Sequence, residues 1–341
     1  MRYLSVCSGI EAATMAWHPL GWEPVAFSEI EKFPSQVLAH HYPSVPNWGD
    51  MTKFQEWPNA DVDLLVGGTP CQSFSVAGLR KGLDDPRGNL MLTYLAIARR
   101  YQSRWLVWEN VPGVLSSNRG RDFAAFIRGL EECGYHAAWR VLDAQYVRVD
   151  GFARAVPQRR RRVFVVGYLG DWRRAAAVLL EPQGMHGHPA PSRQAGKAVA
   201  PTISARPTGG GGLGTDFDLD GGLIASTGDV AVAFNPKAGG NKTIGKSYLE
   251  DGTSYTLDTD CTSVAIATGG WAVRRLTPTE CERLQGFPDG FTDIKPNGKP
   301  TADGPRYKAL GNSMAVNVMR WIGQRIQHVE KLAPAVSRRA A

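Results

Sequence analysis

The stretch Asp63-Leu64-Leu65-Val66-Gly67-Gly68-Thr69-Pro70-Cys71-Gln72-Ser73-Phe74-Ser75 changes character within a few residues. An apolar run of strand length ends in paired glycines, and a thiol follows among Thr, Pro, Gln and Ser. A strand that hands a reactive group to a loop is the repeating unit of an α/β sheet. Outward from this stretch, short apolar runs alternate with longer amphipathic ones through about residue 168. The spacing predicts strands over 3–6, 24–28, 62–67, 105–109, 136–142 and 162–168, with helices over 90–100 and 122–133. The fold class is α/β with a mixed, mostly parallel sheet.

Composition narrows the class further. The 341 residues are 43% hydrophobic and 21% charged, as in a soluble globular protein, and no apolar run is long enough for a membrane span. Ser5, Ser8 and Glu11 interrupt any signal-like core, so a cytoplasmic protein is expected. The five cysteines are odd in number, far apart and without a Cys-x-x-Cys pair, which argues against disulfides and bound metal. A net charge of +7 suits a polyanionic partner.

From 182 to 270 the chain turns to Gly, Ser, Thr and Pro with short alternating runs, a second, smaller strand-and-loop region. Gly209-Gly210-Gly211-Gly212-Leu213-Gly214 lacks the Lys-Ser/Thr of a phosphate loop and reads as a flexible loop. Helices return over 278–285 and 314–329, and the end of the chain reads as a frayed tail.

Three segments carry chemistry. The first strand ends in Cys7-Ser8-Gly9, and about twenty residues later the second ends in Glu29, a layout that suits an adenosine-bearing cofactor with an acid for its ribose hydroxyls. Glu11 breaks the Gly-x-Gly-x-x-Gly pattern, which disfavours a pyrophosphate ligand. Cys71 sits in loop chemistry, unlike Cys133 and Cys281 among apolar neighbours. One strand later Glu109 stands at the same carboxyl edge. As a proton donor it needs its pKa raised from about 4.3 toward 6 or 7, roughly 3 kcal/mol of environment. In Gln158-Arg159-Arg160-Arg161-Arg162, alternation puts Arg160 and Arg162 on one face and Arg159 and Arg161 on the other.

Taken in order, these segments resemble the cytosine-C5 DNA methyltransferase family. The motifs Gly-Gly-x-Pro-Cys-Gln-x-Phe-Ser, Glu-Asn-Val and Gln-x-Arg-x-Arg match. So do Arg274-Arg275-Leu276-Thr277-Pro278-Thr279-Glu280, Arg283-Leu284-Gln285-Gly286-Phe287-Pro288 and Gly311-Asn312-Ser313. The resemblance implies a Rossmann-like S-adenosylmethionine-dependent methyltransferase domain over 1–170 and 301–330. It also implies a target-recognition domain over 171–300 that includes the bracing motif 274–288, and a flexible tail over 331–341.

By the same resemblance Cys71 adds to C6 of cytosine, Glu109 engages N3, Arg162 contacts O2, and Arg160 helps order the catalytic loop. Gln72, Ser75, Arg159 and Arg274 face the DNA. Ser8, Gly9, Glu29, Ile30, Asp50, Pro70, Leu90, Asn312 and Ser313 surround S-adenosylmethionine, with no metal. The implied partner is double-stranded DNA, met by a monomer in a bacterial or phage-infected cell. Where a cognate restriction endonuclease exists, activity does not require it. The target base is extruded, and the glycine-containing loop 73–89 closes over it.

Three positions depart from the family pattern. Cys7 stands where Phe is usual and Glu11 where a second Gly is usual, and Ile30 replaces an often aromatic neighbour of the ribose. Altered affinity for the cofactor is expected, not another cofactor. Residues 171–270 hold eight basic and ten acidic residues, so the rest of the chain carries +9 and must supply the attraction to phosphate. The rival readings are a tRNA cytosine-C5 methyltransferase, a non-catalytic DNA-binding derivative and a nucleotide-cofactor oxidoreductase.

Overall fold

The computed structural model describes residues 1–70, 89–150, 155–180, 232–234, 248–249, 265–267 and 273–332. Strands β1 (Arg2–Val6), β2 (Glu23–Ser28), β3 (Leu64–Gly67), β4 (Trp105–Asn110), β5 (Tyr135–Asp143) and β6 (Arg161–Leu169) form one sheet in the order β2-β1-β3-β4-β6-β5. The pairings β1–β2, β1–β3 and β3–β4 are parallel, and β6 is antiparallel to both β4 and β5. Each strand lies within two residues of its predicted bounds at either end. The reversal of β6 brings its amino end to the edge where β1, β3 and β4 finish.

Alternation along the strands divides the core into two layers. Tyr3, Leu64, Val66, Trp105, Val107, Phe164 and Val166 face one side, where they meet α1 (Ala12–Trp17), α5 (Trp172–Leu179) and α8 (Val316–Leu332). Leu4, Val6, Leu65, Leu106, Trp108, Val163 and Val165 face the other, against α3 (Leu90–Tyr101) and α4 (Arg121–Glu132). Cys133 and Cys281 are buried in these layers.

The carboxyl-terminal segment closes the first layer. Helices α6 (Pro278–Gln285) and α7 (Asp303–Asn312) pack together, α2 (Lys32–His41) packs on α7, and His41 meets the segment between α6 and α7. The His41 ring stacks on Phe291 at 4.0 Å, with Nε2 2.7 Å from the Phe291 carbonyl. Helix α8 begins two residues later than expected because Ser313 N–H still bonds back to α7. It continues to Leu332, past Glu330, which accepts from Arg104 (2.8 Å) and from Trp105 Nε1 (2.9 Å). That anchor carries the helix two residues into the segment expected to be tail.

A second, antiparallel sheet has the order β10-β9-β7-β8, from β7 (Val232–Phe234), β8 (Tyr248–Leu249), β9 (Ala265–Ala267) and β10 (Val273–Arg275). The glycine run 209–214, the loop 73–88 and the tail 333–341 lie outside the described residues.

The seam between α1 and α8 is tight. Trp17 is fully buried and donates from Nε1 to the Met319 carbonyl at 2.7 Å. A Cβ at Gly323 would lie 2.5 Å from two atoms of that ring. Gly323→Ala is expected to destabilise the fold by about 1–3 kcal/mol through overpacking, seen as a lower midpoint in denaturant unfolding.

Candidate active site

The parallel strands deliver four segments to one edge: Cys7–Gly9 after β1, Glu29 after β2, Gly68–Pro70 after β3 and Glu109–Asn110 at the end of β4. Ligands of open α/β sheets bind at this edge. The segment after β3 is pinned from β4, with Trp108 Nε1 donating to Thr69 Oγ1 (3.0 Å) and Asn110 Nδ2 to the Thr69 carbonyl (2.9 Å). Gly67 has no room for a side chain, since a Cβ there would come within 2.6 Å of Val6. Cys71, Gln72 and Ser75 follow directly and lie outside the described residues.

Glu109 is buried, and its Oε1 pairs with Arg162 Nε at 3.1 Å. The antiparallel register explains the meeting: Asn110 stands opposite Val163, so the residue before Val163 reaches just past the end of β4. Burial raises the Glu109 carboxyl above the ordinary range, while the charges of Arg160 and Arg162 pull it down without cancelling the rise. Such a carboxyl is a better proton donor near neutral pH than an exposed one. Its Oε2 lies 3.1 Å from where a Gly68 Cβ would be, so the glycine makes space for the carboxylate.

The arginine run alternates as its sequence implies, with Arg159 and Arg161 exposed and Arg160 buried. Arg160 donates from Nη2 to the carbonyls of Gly311 (3.1 Å) and Ser313 (2.6 Å) at the end of α7. Gln285 Nε2 donates to the Leu310 carbonyl nearby (2.6 Å). The arginine motif and the Gln285 segment thereby hold Asn312 and Ser313 beside Glu109. Arg274 lies in β10 opposite Ile266; its side chain is outside the described residues.

On the other side of the edge opens a cleft of about 900 Å³, lined by Gly9, Glu29, Ile30, Asp50, Pro70, Leu90, Glu109, Arg162 and Asn312, among others. Glu29 is held by two backbone donors, Gly9 N–H to Oε2 and Glu31 N–H to Oε1, both at 2.7 Å. Asp50 uses Oδ1 to cap Thr52 (2.9 Å). Ile30 is 72% exposed, an apolar side chain left open in the cleft. Ser8 turns away from it, accepting from Ser28 N–H (3.0 Å) and donating to the Ser5 carbonyl (3.0 Å). Ser313 and Ser8 line a smaller cavity of about 40 Å³ that also touches Glu109 and Gly68.

Sequence reasoning missed several of the residues that shape the cleft. Asn47 bridges the backbone of Glu29 and Gly49 with its amide, and Phe33, Thr301, Pro305 and Lys308 form its outer wall. The Lys308 ammonium meets Glu31 across the mouth at 2.9 Å. Only Asn47, close before Gly49-Asp50, carried a local signal. At Cys7, burial pushes the thiol up to about 12, helped by Glu29 and Asp50, and its Sγ lies 3.4 Å from Met51 Sδ. Cys7 is half-buried and lines the cleft. Among the described residues no cluster of three or more His, Cys, Asp or Glu is placed to hold a metal ion, and no helix is long and apolar enough to cross a membrane.

The chain is 35% identical over 472 aligned residues to a DNA N-6-adenine-methyltransferase of Escherichia phage P1, with 95% of this chain and 61% of that protein covered. The chain thus spans less than two thirds of that relative's length. It is 29% identical over 328 residues to the Type II methyltransferase M.SsoII of Shigella sonnei, covering 95% of this chain and 79% of the relative. In three dimensions the S. pombe Dnmt2 methyltransferase superposes with a TM-score of 0.61 at 15% identity, covering 98% of this chain and 100% of that one, which establishes a shared fold. The model of the C-5 cytosine-specific DNA methylase family matches residues 1–328, from β1 into α8, and the chain belongs to that family.

Proposed function

We propose that this protein transfers a methyl group from S-adenosylmethionine to C5 of a cytosine turned out of a specific double-stranded DNA sequence, through a covalent bond between Cys71 and C6. The observation that carries this reading is the buried Glu109–Arg162 pair beside the segment that leads into Cys71. A thiolate adds to C6 of a pyrimidine only if the negative charge that develops on the ring is taken up. Glu109, its carboxyl pushed up by burial, meets N3, and Arg162 meets O2. Addition makes C5 an enamine carbon; loss of its proton later expels Cys71 and restores the ring. Inside a stacked duplex C6 is out of reach of Cys71, so the base is extruded.

The cleft fits the cofactor by the chemistry of its lining. Glu29 suits ribose hydroxyls and Asp50 the adenine amino group. Gly9, Ile30, Pro70, Leu90 and Asn312 offer backbone, apolar and amide surface in the cleft, while Ser8 and Ser313 border the smaller cavity beside Glu109. When bound, S-adenosylmethionine supplies an electrophilic methyl group at this edge. The exposed Arg159, with Gln72, Ser75 and Arg274, faces the DNA, and Arg160 steadies the catalytic loop from the α7 end. Residues 1–170 and 301–330 act as the catalytic domain and 171–300 as the recognition domain. The protein works as a cytoplasmic monomer.

Adenine-N6 methylation, the chemistry named for the phage P1 relative, attacks through an exocyclic amine and leaves the Cys71–Glu109–Arg162 combination without a task. Labelled methyl transfer to duplex DNA, followed by bisulfite sequencing, is expected to mark cytosines within one short sequence. Label entering adenine, or tRNA in preference to duplex DNA, contradicts the proposal.

Two further outcomes follow from the carboxyl. Because its acid form is the active one, the single-turnover rate attributable to Glu109 declines as pH rises through its raised pKa. Glu109→Gln flattens that limb and slows transfer by about 10²-fold or more. Arg162→Met removes one of the two charges that lower this pKa, so the Glu109 titration followed by carbon-13 NMR moves further up. A downward move contradicts the electrostatic assignment.

A further inference from the structure

The turn that leads from β1 into α1 has an unusual backbone for its sequence. Cys7 (φ 49°), Gly9 (φ 57°) and Glu11 (φ 65°) all occupy the left-handed region, which side-chain-bearing residues resist. At Glu11 the surroundings hold the conformation in place. Its side chain is 1% exposed; it is not among the residues lining the large cleft but borders the small cavity shared with Ser8, Gly9 and Glu109. It accepts from the Ser5 hydroxyl on one oxygen and from Thr14 N–H (3.0 Å) and Thr14 Oγ1 (2.5 Å) on the other. The Tyr3 hydroxyl joins Thr14 at 2.6 Å, so the carboxylate is bolted to both β1 and α1.

The consequences run upward into the site. Glu11 N–H bonds the Ser8 carbonyl at 3.0 Å, and Ser8 Oγ in turn receives Ser28 N–H from β2. Gly9 N–H donates to Glu29 Oε2 at 2.7 Å. The shape of residues 7–11 therefore sets both the backbone facing the cleft and the seat of the acid at its ribose end.

We infer that Glu11 is a positioning residue for cofactor binding: its buried carboxylate fixes the turn 7–11, and with it Gly9 and Glu29, in the shape the cofactor meets. The inference rests on the cofactor reading given above. A residue that serves only as a helix cap would change stability and leave the affinity for cofactor untouched.

Titration calorimetry of S-adenosylmethionine into the full-length protein, with steady-state kinetics on duplex DNA, separates these roles. Glu11→Ala is expected to weaken binding at least tenfold and to raise the KM for S-adenosylmethionine to match, with kcat at saturation and the KM for DNA within about twofold of wild type. Glu11→Gln keeps the length, an acceptor for Thr14 N–H and an amide that donates to Ser5 Oγ, and is expected to bind within about threefold of wild type. If Glu11→Ala does not fold, Ser5→Ala carries the test, with binding expected to weaken by clearly more than the roughly threefold allowed to Glu11→Gln. Wild-type affinity in Glu11→Ala, or in Ser5→Ala where that variant stands in for it, overturns the inference and leaves the cofactor reading standing. No uptake of S-adenosylmethionine by the wild-type protein overturns both.

Discussion

The site depends on one carboxylate held dry between two guanidinium groups. Burial pushes the Glu109 carboxyl up and the charges of Arg160 and Arg162 pull it down, with a net rise. Arg162 is the second residue of β6 and Arg160 stands just before that strand, and they reach Glu109 because β6 runs against its neighbours and its amino end meets the carboxyl end of β4. A parallel β6 would have sent these charges to the far edge of the sheet.

The same arginine pair ties distant parts of the chain to that edge. Arg160 and Gln285 satisfy carbonyls at the end of α7, groups that a helix terminus would otherwise leave without partners. Buried carbonyls left without partners cost about 1–3 kcal/mol each, so this joint contributes to the stability of the edge. It also explains why Gly311-Asn312-Ser313, remote in sequence, stands beside the residues after β1 and β3. At the opposite edge, Glu330 with Arg104, Trp105 and Arg174 fastens the last helix to the foot of the sheet.

Much of this was legible in the sequence because strand periodicity is short-ranged. The six strands, the helices over 90–100 and 122–133, and the carboxyl-edge positions of Gly9, Glu29 and Glu109 follow from apolar runs and the turns that end them. The alternation of Arg159 to Arg162 was equally readable. Direction was not: nothing in residues 161–169 says that β6 runs antiparallel, since the pattern of a strand is the same read either way. Short helices such as α1, and α2 with its early Pro34, gave too little periodicity. The inward turn of Glu11 and the grip of Asn47 on Glu29 depend on hydrogen bonds whose partners the sequence does not align. The segment holding Cys71 was the strongest signal in the sequence, and its assignment still rests on its motif and on the company of Glu109 and Arg162.

That assignment is tested most directly by covalent capture. Duplex DNA carrying 5-fluorocytosine in the target sequence, incubated with the protein and S-adenosylmethionine, blocks the final loss from C5 and leaves any thiol adduct in place. The account predicts a denaturation-stable protein–DNA complex that is absent in Cys71→Ala and forms more slowly in Glu109→Gln. An adduct that survives loss of Cys71, or none in a wild-type protein that methylates the unmodified sequence, would contradict it.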